Sequence, residues 1–503
     1  MLGFAEWTSS EHRAVVLDMT AAGAWEALAA DYAHRGQNPA LQRVLEIARE
    51  HDVVCIVKEP RYIDADWRSQ LARFYTGAFR RYPSVCHRLH FFTRAVPNDL
   101  VDLSDEQPYY RGYTVLRPLP VAPVGRTMIA RPTALDDAAR CEGTETVDLV
   151  GWPLTITAMP FISQDTQYLR CAHAAVWMVL AHGRLVHGLP RYLPGHVHDA
   201  AAAGAPVGRQ LPSDGLSGFQ LFTAMQTLGL SPTSKRLKAD RAQDLAGSSS
   251  LRLYSMVCRY VNSMLPPIIT STQHAWVLVA YQRRSSNGNP VITLWRHDDA
   301  RGPYLRVDDP WNEPEPAHRP WMSAYLPLLP KAHLDAERAE AVGRDWFDAF
   351  GATKAAAGTA LETLAKETDP GTGHTFRTYL TTSTAFKQDA QGRGVPAELA
   401  AAYRLAPMSR LVWVIELVDR NRRGRGEPDV IGEVILDATL TQFEPDLDPA
   451  GVISMHVDSF AFFSGVDRAD IQVLRVPPGQ AYATGCNALH QPDEPQTPYA
   501  SPT

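Results

Sequence analysis

The sequence predicts an α+β protein of three domains, and three observations support this prediction. Its 503 residues exceed the size of one ordinary domain, so two to four domains are expected. Apolar spacings typical of helices and of strands alternate along the chain. The composition changes near residues 147 and 330, which predicts an N-terminal domain over 1–147, a central domain over 148–330 and a C-terminal domain over 331–503.

The composition is that of a globular protein, with 45% hydrophobic and 21% charged residues. A net charge of −6 is small for this length, so nothing indicates binding to nucleic acid or to an anionic membrane. We expect no membrane span and no signal peptide, because no apolar run has the required length. The six scattered cysteines then predict reduced thiols in a cytoplasm. Abundant alanine and arginine indicate a bacterium with a GC-rich genome.

Both flanking domains are predicted to mix helices and strands. In the N-terminal domain the apolar spacing predicts helices in WEALAADYAHRG, PALQRVLEIAREH and DWRSQLARFYTGAFRRY, with a buried strand in DVVCIVKEP. In the C-terminal domain a helix is predicted over 335–367. Strands are predicted over 410–420 and 429–439, joined by an arginine-rich turn that is most simply a solvated hairpin tip.

Cys171 stands directly before an alanine-rich run that predicts a helix over 172–181, with Gly183 as its C-terminal cap. The run is apolar nearly all round, so this helix is expected in the middle of a domain. At a helix N-terminus the dipole and the free N–H groups favour a thiolate. A small buried hydrophobe and a metal ligand are the alternatives, and the local sequence does not decide among the three.

A histidine and a carboxylate follow in the same domain. Three strands are predicted over 274–283, 291–297 and 304–308, with His274 opening the first and Asp309 following the third. In a flat meander the first and third strands run in the same direction. The start of one and the end of the other then lie at opposite ends, so strand order alone does not bring the two side chains together.

Three local patterns occur in a fixed order in the central domain. Gln164 precedes Cys171 and its alanine-rich helix, His274 leads an apolar strand, and Asp309 stands directly before a proline at a later strand end. In these patterns and their order, the segment 161–312 resembles a papain-like cysteine peptidase. The resemblance is greatest to the bacterial branch that includes the double-glycine leader peptidases of bacteriocin export.

The resemblance implies a helix that carries the cysteine, packed on an antiparallel sheet that carries the histidine and the aspartate. It implies that Cys171 is the nucleophile, that His274 transfers the proton and that Asp309 orients the imidazole. Gln164 and the backbone N–H of Cys171 would donate hydrogen bonds to the oxyanion.

The chain departs from the family pattern in places. Ala172 follows the cysteine where the family has glycine or tryptophan, and Gln164 stands seven residues before the cysteine. Gln167 is the alternative oxyanion donor, and Asp308 is the alternative carboxylate. His173 and His182 are assigned structural roles.

These residues predict a cytoplasmic bacterial cysteine peptidase that cleaves a peptide or isopeptide bond through an acyl-enzyme. Its substrate would be a protein or peptide, and the flanking domains would select the substrate or a regulatory protein partner. A non-proteolytic acyltransferase or transglutaminase-like enzyme and an inactive papain-like binding module are the alternatives. No cofactor and no metal are expected, because CHRLH at 86–90 and HGLPRYLPGHVH at 187–198 lack the ligand spacing of a zinc site.

Overall fold

The structure is a computed structural model of the chain. It describes residues 13–32, 38–165, 168–203, 215–237, 248–286, 289–308, 321–351, 374–390, 392–419, 422, 427–441, 451–457, 460–464, 471–475 and 481–483. Helices and strands are mixed throughout, which confirms the predicted α+β class at this level. Among the described residues, the helices all fall short of the length and apolar character that a bilayer span requires.

The first part of the chain folds around a five-stranded antiparallel sheet. Its strands lie in the order in which they occur in the sequence. They are β1 (Val15–Asp18), β2 (Cys55–Tyr62), β3 (Cys86–Phe92), β4 (Tyr110–Leu116) and β5 (Val124–Ile129).

Three α-helices accompany this sheet: α1 (Ala24–Tyr32), α2 (Pro39–Glu50) and α3 (Ala65–Gln70). The first two confirm the predicted helices. The third predicted helix is shorter than expected, because α3 passes into a single π-helical turn, Leu71–Tyr75, after which the helix ends.

A second sheet lies in the middle of the chain, in the spatial order β13-β12-β11-β10-β14-β9, with β6 paired to β11. Strand β6 and the hairpin of β7 and β8 begin before residue 148. The predicted domain boundary at residue 147 therefore falls within β7. The division into three domains stays a prediction. The strands of this sheet are β6 (Ala139–Arg140), β9 (Thr233–Arg236), β10 (Ile268–Thr270), β11 (Ala275–Ser286), β12 (Asn289–Asp298), β13 (Gly302–Val307) and β14 (Ser323–Leu326). Strands β7 (Gly143–Leu149) and β8 (Trp152–Ala158) form a separate two-stranded sheet.

Four helices belong to this part of the chain: α4 (Cys171–His187), α5 (Pro194–Ala202), α6 (Gly218–Thr227) and α7 (Ser248–Asn262). Helix α4 is buried over most of its length and packs against β11, β7, α5 and α6. This agrees with the apolar pattern that surrounds it in the sequence.

The prediction that Gly183 caps α4 is wrong. The helix continues to His187, and Gly188 ends it in the left-handed conformation with φ of 69°. Gly183 lies inside the helix, where a Cβ would come within 2.6 Å of Leu189 Cδ1. Glycine is therefore needed at 183 for close packing rather than for a turn.

The last part of the chain forms a six-stranded antiparallel meander with its strands in sequence order. Strands β16 and β17 confirm the two predicted strands, and α8 confirms the beginning of the predicted helix, whose remainder lies outside the described residues. The elements are α8 (Ala336–Gly351), β15 (His374–Thr382), α9 (Ser383–Asp389), α10 (Ala397–Leu405), β16 (Leu411–Asp419), β17 (Val430–Asp437), β18 (Gly451–Val457), β19 (Phe460–Ser464) and β20 (Ile471–Arg475).

A buried ion pair joins the central part to the last part. Arg259 of α7 donates two hydrogen bonds to Glu340 of α8, from Nε at 2.7 Å and from Nη2 at 2.6 Å. Thr378 of β15 donates a third at 2.7 Å, and both charged side chains are 1% exposed. Burial removes both charges from water, which costs free energy. The bidentate hydrogen bonds offset this desolvation penalty.

We expect Glu340→Ala to destabilise the protein by about 3–5 kcal/mol, because it leaves the buried Arg259 guanidinium without a counter-charge. Calorimetric thermal unfolding measures the effect. Asp308→Ala is the control, because Asp308 forms an exposed pair with Arg306, and such pairs contribute at most about 1 kcal/mol. Equal effects of the two substitutions would contradict a structural role for the buried pair.

Candidate active site

Cys171 is the first residue of α4 and is half-buried, whereas the other four cysteines within the described part of the chain are fully buried. Arg170 occupies the N-cap position and provides no side-chain cap. The first-turn N–H groups of α4 therefore keep their capacity to bind an anion. The thiol lies where both a reactant and these N–H groups can approach it.

The loop before Cys171 is held by one carboxylate. Asp165 Oδ1 accepts hydrogen bonds from the backbone N–H groups of Tyr168 at 2.7 Å and Leu169 at 2.8 Å. Its Oδ2 accepts a hydrogen bond from the Tyr75 hydroxyl at 2.9 Å. Tyr75 belongs to the π-helical turn after α3, a type of distortion that often occurs at functional sites. The N-terminal part of the chain thus fixes the approach to the thiol.

His274 directly precedes β11, and its backbone N–H donates to Ser271 Oγ at 3.0 Å. Its imidazole Nε2 lies 3.1 Å from Asp298 Oδ1 and 3.5 Å from Asp299 Oδ1. Cys171 lies beside the same ring, where its side chain contributes to the raised pKa of His274. The described residues therefore place a thiol, an imidazole and two carboxylates in one cluster.

Strand pairing explains why Asp298 reaches His274. Strands β11 and β12 are antiparallel, with Val277 opposite His297, so the end of β12 lies beside the start of β11. Asp298 is the last residue of β12 and is fully buried. Its Oδ1 also accepts from the N–H groups of Ala300 at 3.1 Å and Arg301 at 3.2 Å, which orients the carboxylate.

The electrostatics of the cluster favour a protonated imidazole. Burial lowers the pKa of His274, but hydrogen bonds with Asp298 and Cys171 and the charges of both carboxylates outweigh it and raise the pKa to about 11. Burial raises the pKa of Asp299 to about 7; the His274 charge opposes this rise, and the Asp298 charge adds to it. An imidazolium is thus held beside Cys171.

His274, Asp298 and Asp299 also place three ligand atoms within 4.8 Å of one another, which is close enough to hold a metal ion. A histidine ligand must be a neutral imidazole, however. The pKa of the metal-free His274 is raised to about 11, so a metal ion that bound here would have to displace the proton of this ring.

Gln164 lies beside this cluster. Its backbone N–H donates to the backbone carbonyl of Asp299 at 3.3 Å, and its side chain is half-buried. The alternative donor, Gln167, lies outside the described residues.

The predicted carboxylate, Asp309, also lies outside the described residues, so its assignment stays a prediction. Asp308 is exposed and accepts hydrogen bonds from Arg306 at 2.7 Å and Thr293 at 3.3 Å instead of from His274.

The sequence interpretation missed Asp298 and Asp299, which directly follow the predicted strand over 291–297. The signal was the direction of the strands. Because consecutive strands of a meander are antiparallel, the end of the second strand meets the start of the first. The dipeptide that closes the second strand was therefore the carboxylate to expect beside His274.

Two of the three histidines of α4, His173 and His182, are buried. Burial lowers the pKa of His173 to about 3, and burial lowers the pKa of His182 to about 3 as well. His173 stacks on His198 with ring centroids 5.7 Å apart. Both imidazoles are thus neutral near pH 7, which agrees with the predicted structural roles.

Comparison with protein-family models gave no match, and no curated protein sequence matched the chain.

We expect Asp298→Asn to destabilise the protein by about 1.5–3 kcal/mol at pH 6, the usual range for a hydrogen bond to a charged group. His274 has a folded-state pKa raised to about 11, so the stability it provides is fully present below pH 6.5 and is lost as the pH rises toward 11. The difference between variant and wild type should therefore shrink from pH 6 to pH 10. Thermal unfolding at both pH values measures it.

Asp308→Asn is the matched control, because Asp308 is an exposed carboxylate on the same sheet. Its effect should be small and similar at both pH values. A destabilisation by Asp298→Asn that does not change with pH would contradict the ion pair with His274.

Proposed function

We propose that this protein is a papain-like cysteine peptidase of a bacterial cytoplasm that cleaves a peptide or isopeptide bond. The observation that supports this most directly is the contact of His274 with the thiol of Cys171 and with the Asp298 carboxylate. A thiol at the start of a buried helix, an imidazole and a buried carboxylate are the three groups that thiolate acyl transfer needs.

In the proposed reaction, the Cys171 thiolate attacks the carbonyl carbon of the scissile bond. The resulting oxyanion accepts hydrogen bonds from the N–H of Cys171 and from the Gln164 side chain. The His274 imidazolium gives its proton to the leaving amine, and a thioester forms. The neutral imidazole then takes a proton from water, the hydroxide attacks the thioester, and the carboxylic acid and the thiolate are released.

The carboxylate role falls to Asp298 in this proposal. Its Oδ1 lies 3.1 Å from His274 Nε2, and the hydrogen bonds from two N–H groups keep it oriented. Asp299 lies slightly farther away at 3.5 Å. The pKa of Asp299 is raised, and the positive charge of His274 opposes this rise. When His274 loses its proton, Asp299 is therefore more readily protonated.

We expect Cys171→Ala to abolish cleavage without unfolding the protein, because it removes the nucleophile and replaces a half-buried side chain. Labelling of new protein N-termini in cells that carry wild type or variant identifies the substrates. Cys55→Ala, at a buried cysteine of β2, is the control and should keep the cleavage pattern. Identical N-termini with wild type and Cys171→Ala would refute the proposal.

Two further measurements on the wild type and Cys171→Ala separate the alternatives. An acyltransferase would leave acyl groups on amines, and these additions would disappear in Cys171→Ala. If the protein is an inactive binding module, an electrophilic thiol probe should label Cys171 in the folded protein no faster than it labels an exposed thiol in the unfolded chain.

Gln164→Ala should lower kcat by about 10²–10³, which is the usual effect of losing one oxyanion donor, while KM changes little. Steady-state kinetics on a substrate found by N-terminal labelling measures both constants. Gln107→Ala is the matched control, because Gln107 bonds the backbone of Thr155, outside the proposed site. An unchanged kcat for Gln164→Ala would exclude this side chain as the donor.

A further inference from the structure

A cavity of about 650 Å³ lies between the first sheet, the hairpin of β7 and β8 and the end of α4. Five guanidinium groups line it, against three carboxylates. Because the cavity is small and partly closed, this excess of positive charge acts at short range on anything that enters. The arginines are Arg61, Arg88, Arg126, Arg184 and Arg191.

Arg88 is held at the inner wall. Its Nε forms an ion pair with Glu59, its Nη2 donates to the backbone carbonyl of Asp148, and its guanidinium lies 4.0 Å from the centre of the Tyr62 ring. The side chain is 7% exposed. Its remaining amino group, Nη1, donates no hydrogen bond to any residue that the structure describes.

Arg126 is held in the same way. Its Nε donates to Asp66 at 2.8 Å and its Nη1 donates to Glu145 at 3.1 Å, and its side chain is 9% exposed. Within the described ranges, its Nη2 likewise donates no hydrogen bond. Two buried and oriented guanidinium groups of the cavity lining thus each keep one amino group that makes no hydrogen bond to the described residues.

Two further arginines stand at the outer wall. Arg184, in the last turn of α4, lies 3.6 Å from Glu145 and is 38% exposed. Arg191 is exposed. Neither is fixed in a close pair, so both can turn toward a bound anion. Arg184 comes thirteen residues after Cys171 on the same helix, about 20 Å along its axis, so the cavity is separate from the thiol.

We propose that this cavity binds an organic phosphate of nucleotide size. A phosphate group has three oxygens that accept from several guanidinium groups at once, and arginine forks match their geometry. The volume exceeds that of a phosphate ion and falls in the range of small-molecule sites. Tyr62, Tyr113, Ile63 and Val150 line the cavity as well and provide apolar and aromatic surface for the organic part.

This proposal does not depend on the peptidase proposal, and binding to the full chain tests it. Isothermal titration calorimetry with ADP as the probe should give a saturable isotherm at low ionic strength, and inorganic phosphate should compete. Adenosine, which lacks the phosphates, should bind at least tenfold more weakly. The double variant Arg184→Gln, Arg191→Gln should weaken ADP binding at least tenfold, and its unfolding temperature without ligand should match that of the wild type.

Arg404→Gln is the control, because Arg404 is an exposed arginine of α10 outside the cavity lining, and it should bind ADP like the wild type. Absence of binding at millimolar ADP would overturn the proposal, as would equal affinities for ADP and adenosine or full affinity in the double variant. Binding of an acidic hexapeptide without binding of ADP would overturn it too and would assign the cavity to a protein segment.

Discussion

Burial of α4 on every side is the constraint on which the site depends. A helix that is apolar nearly all round must be covered by several elements, and β11, β7, α5 and α6 cover this one. The polar indole N–H of Trp177, in the middle of the helix, needs a partner where no water reaches. Asp66 of α3 accepts from it at 3.2 Å and also accepts from Arg126, whose guanidinium lies 5.1 Å from the Trp177 ring. The position of the proposed nucleophile therefore depends on residues of the first sheet.

The charge balance around His274 follows from the same burial. An isolated imidazolium would lose its proton in a buried position, and an isolated carboxylate would gain one. In the cluster, the hydrogen bonds and the two carboxylates keep His274 charged, whereas burial raises the pKa of Asp299 to about 7, so that about half of this carboxyl group is protonated at neutral pH. His274 Nε2 lies 3.1 Å from Asp298 Oδ1, which is within the hydrogen-bond reach that proton transfer requires.

The sequence was informative wherever the relevant contact was local. The apolar pattern after Cys171 predicts a buried helix that begins at the thiol, and the apolar strand after His274 predicts its place at a strand start.

Gly183 misled the prediction of the helix end because glycine serves both caps and close packing, and only the neighbour Leu189 distinguishes the two. The partner of His274 depends on which strand ends meet, and its identification required the direction of each strand rather than spacing along the chain. The pairing of β6 with β11 is long-range and has no periodic signature, so the composition change near 147 carries no information about it.

The contacts along α4 give the N-terminal part of the chain a physical role. Tyr75 holds Asp165 and with it the loop that enters the helix. Asp66 holds the middle of the helix through Trp177, and Glu145 of β7 lies against its last turn through Arg184. The helix is therefore supported near its start and at its centre, and a looser 3.6 Å ion pair lies at its end. A rigid helix supported in this way cannot shift at one end without changing the contacts at the other, because its backbone hydrogen bonds resist stretching.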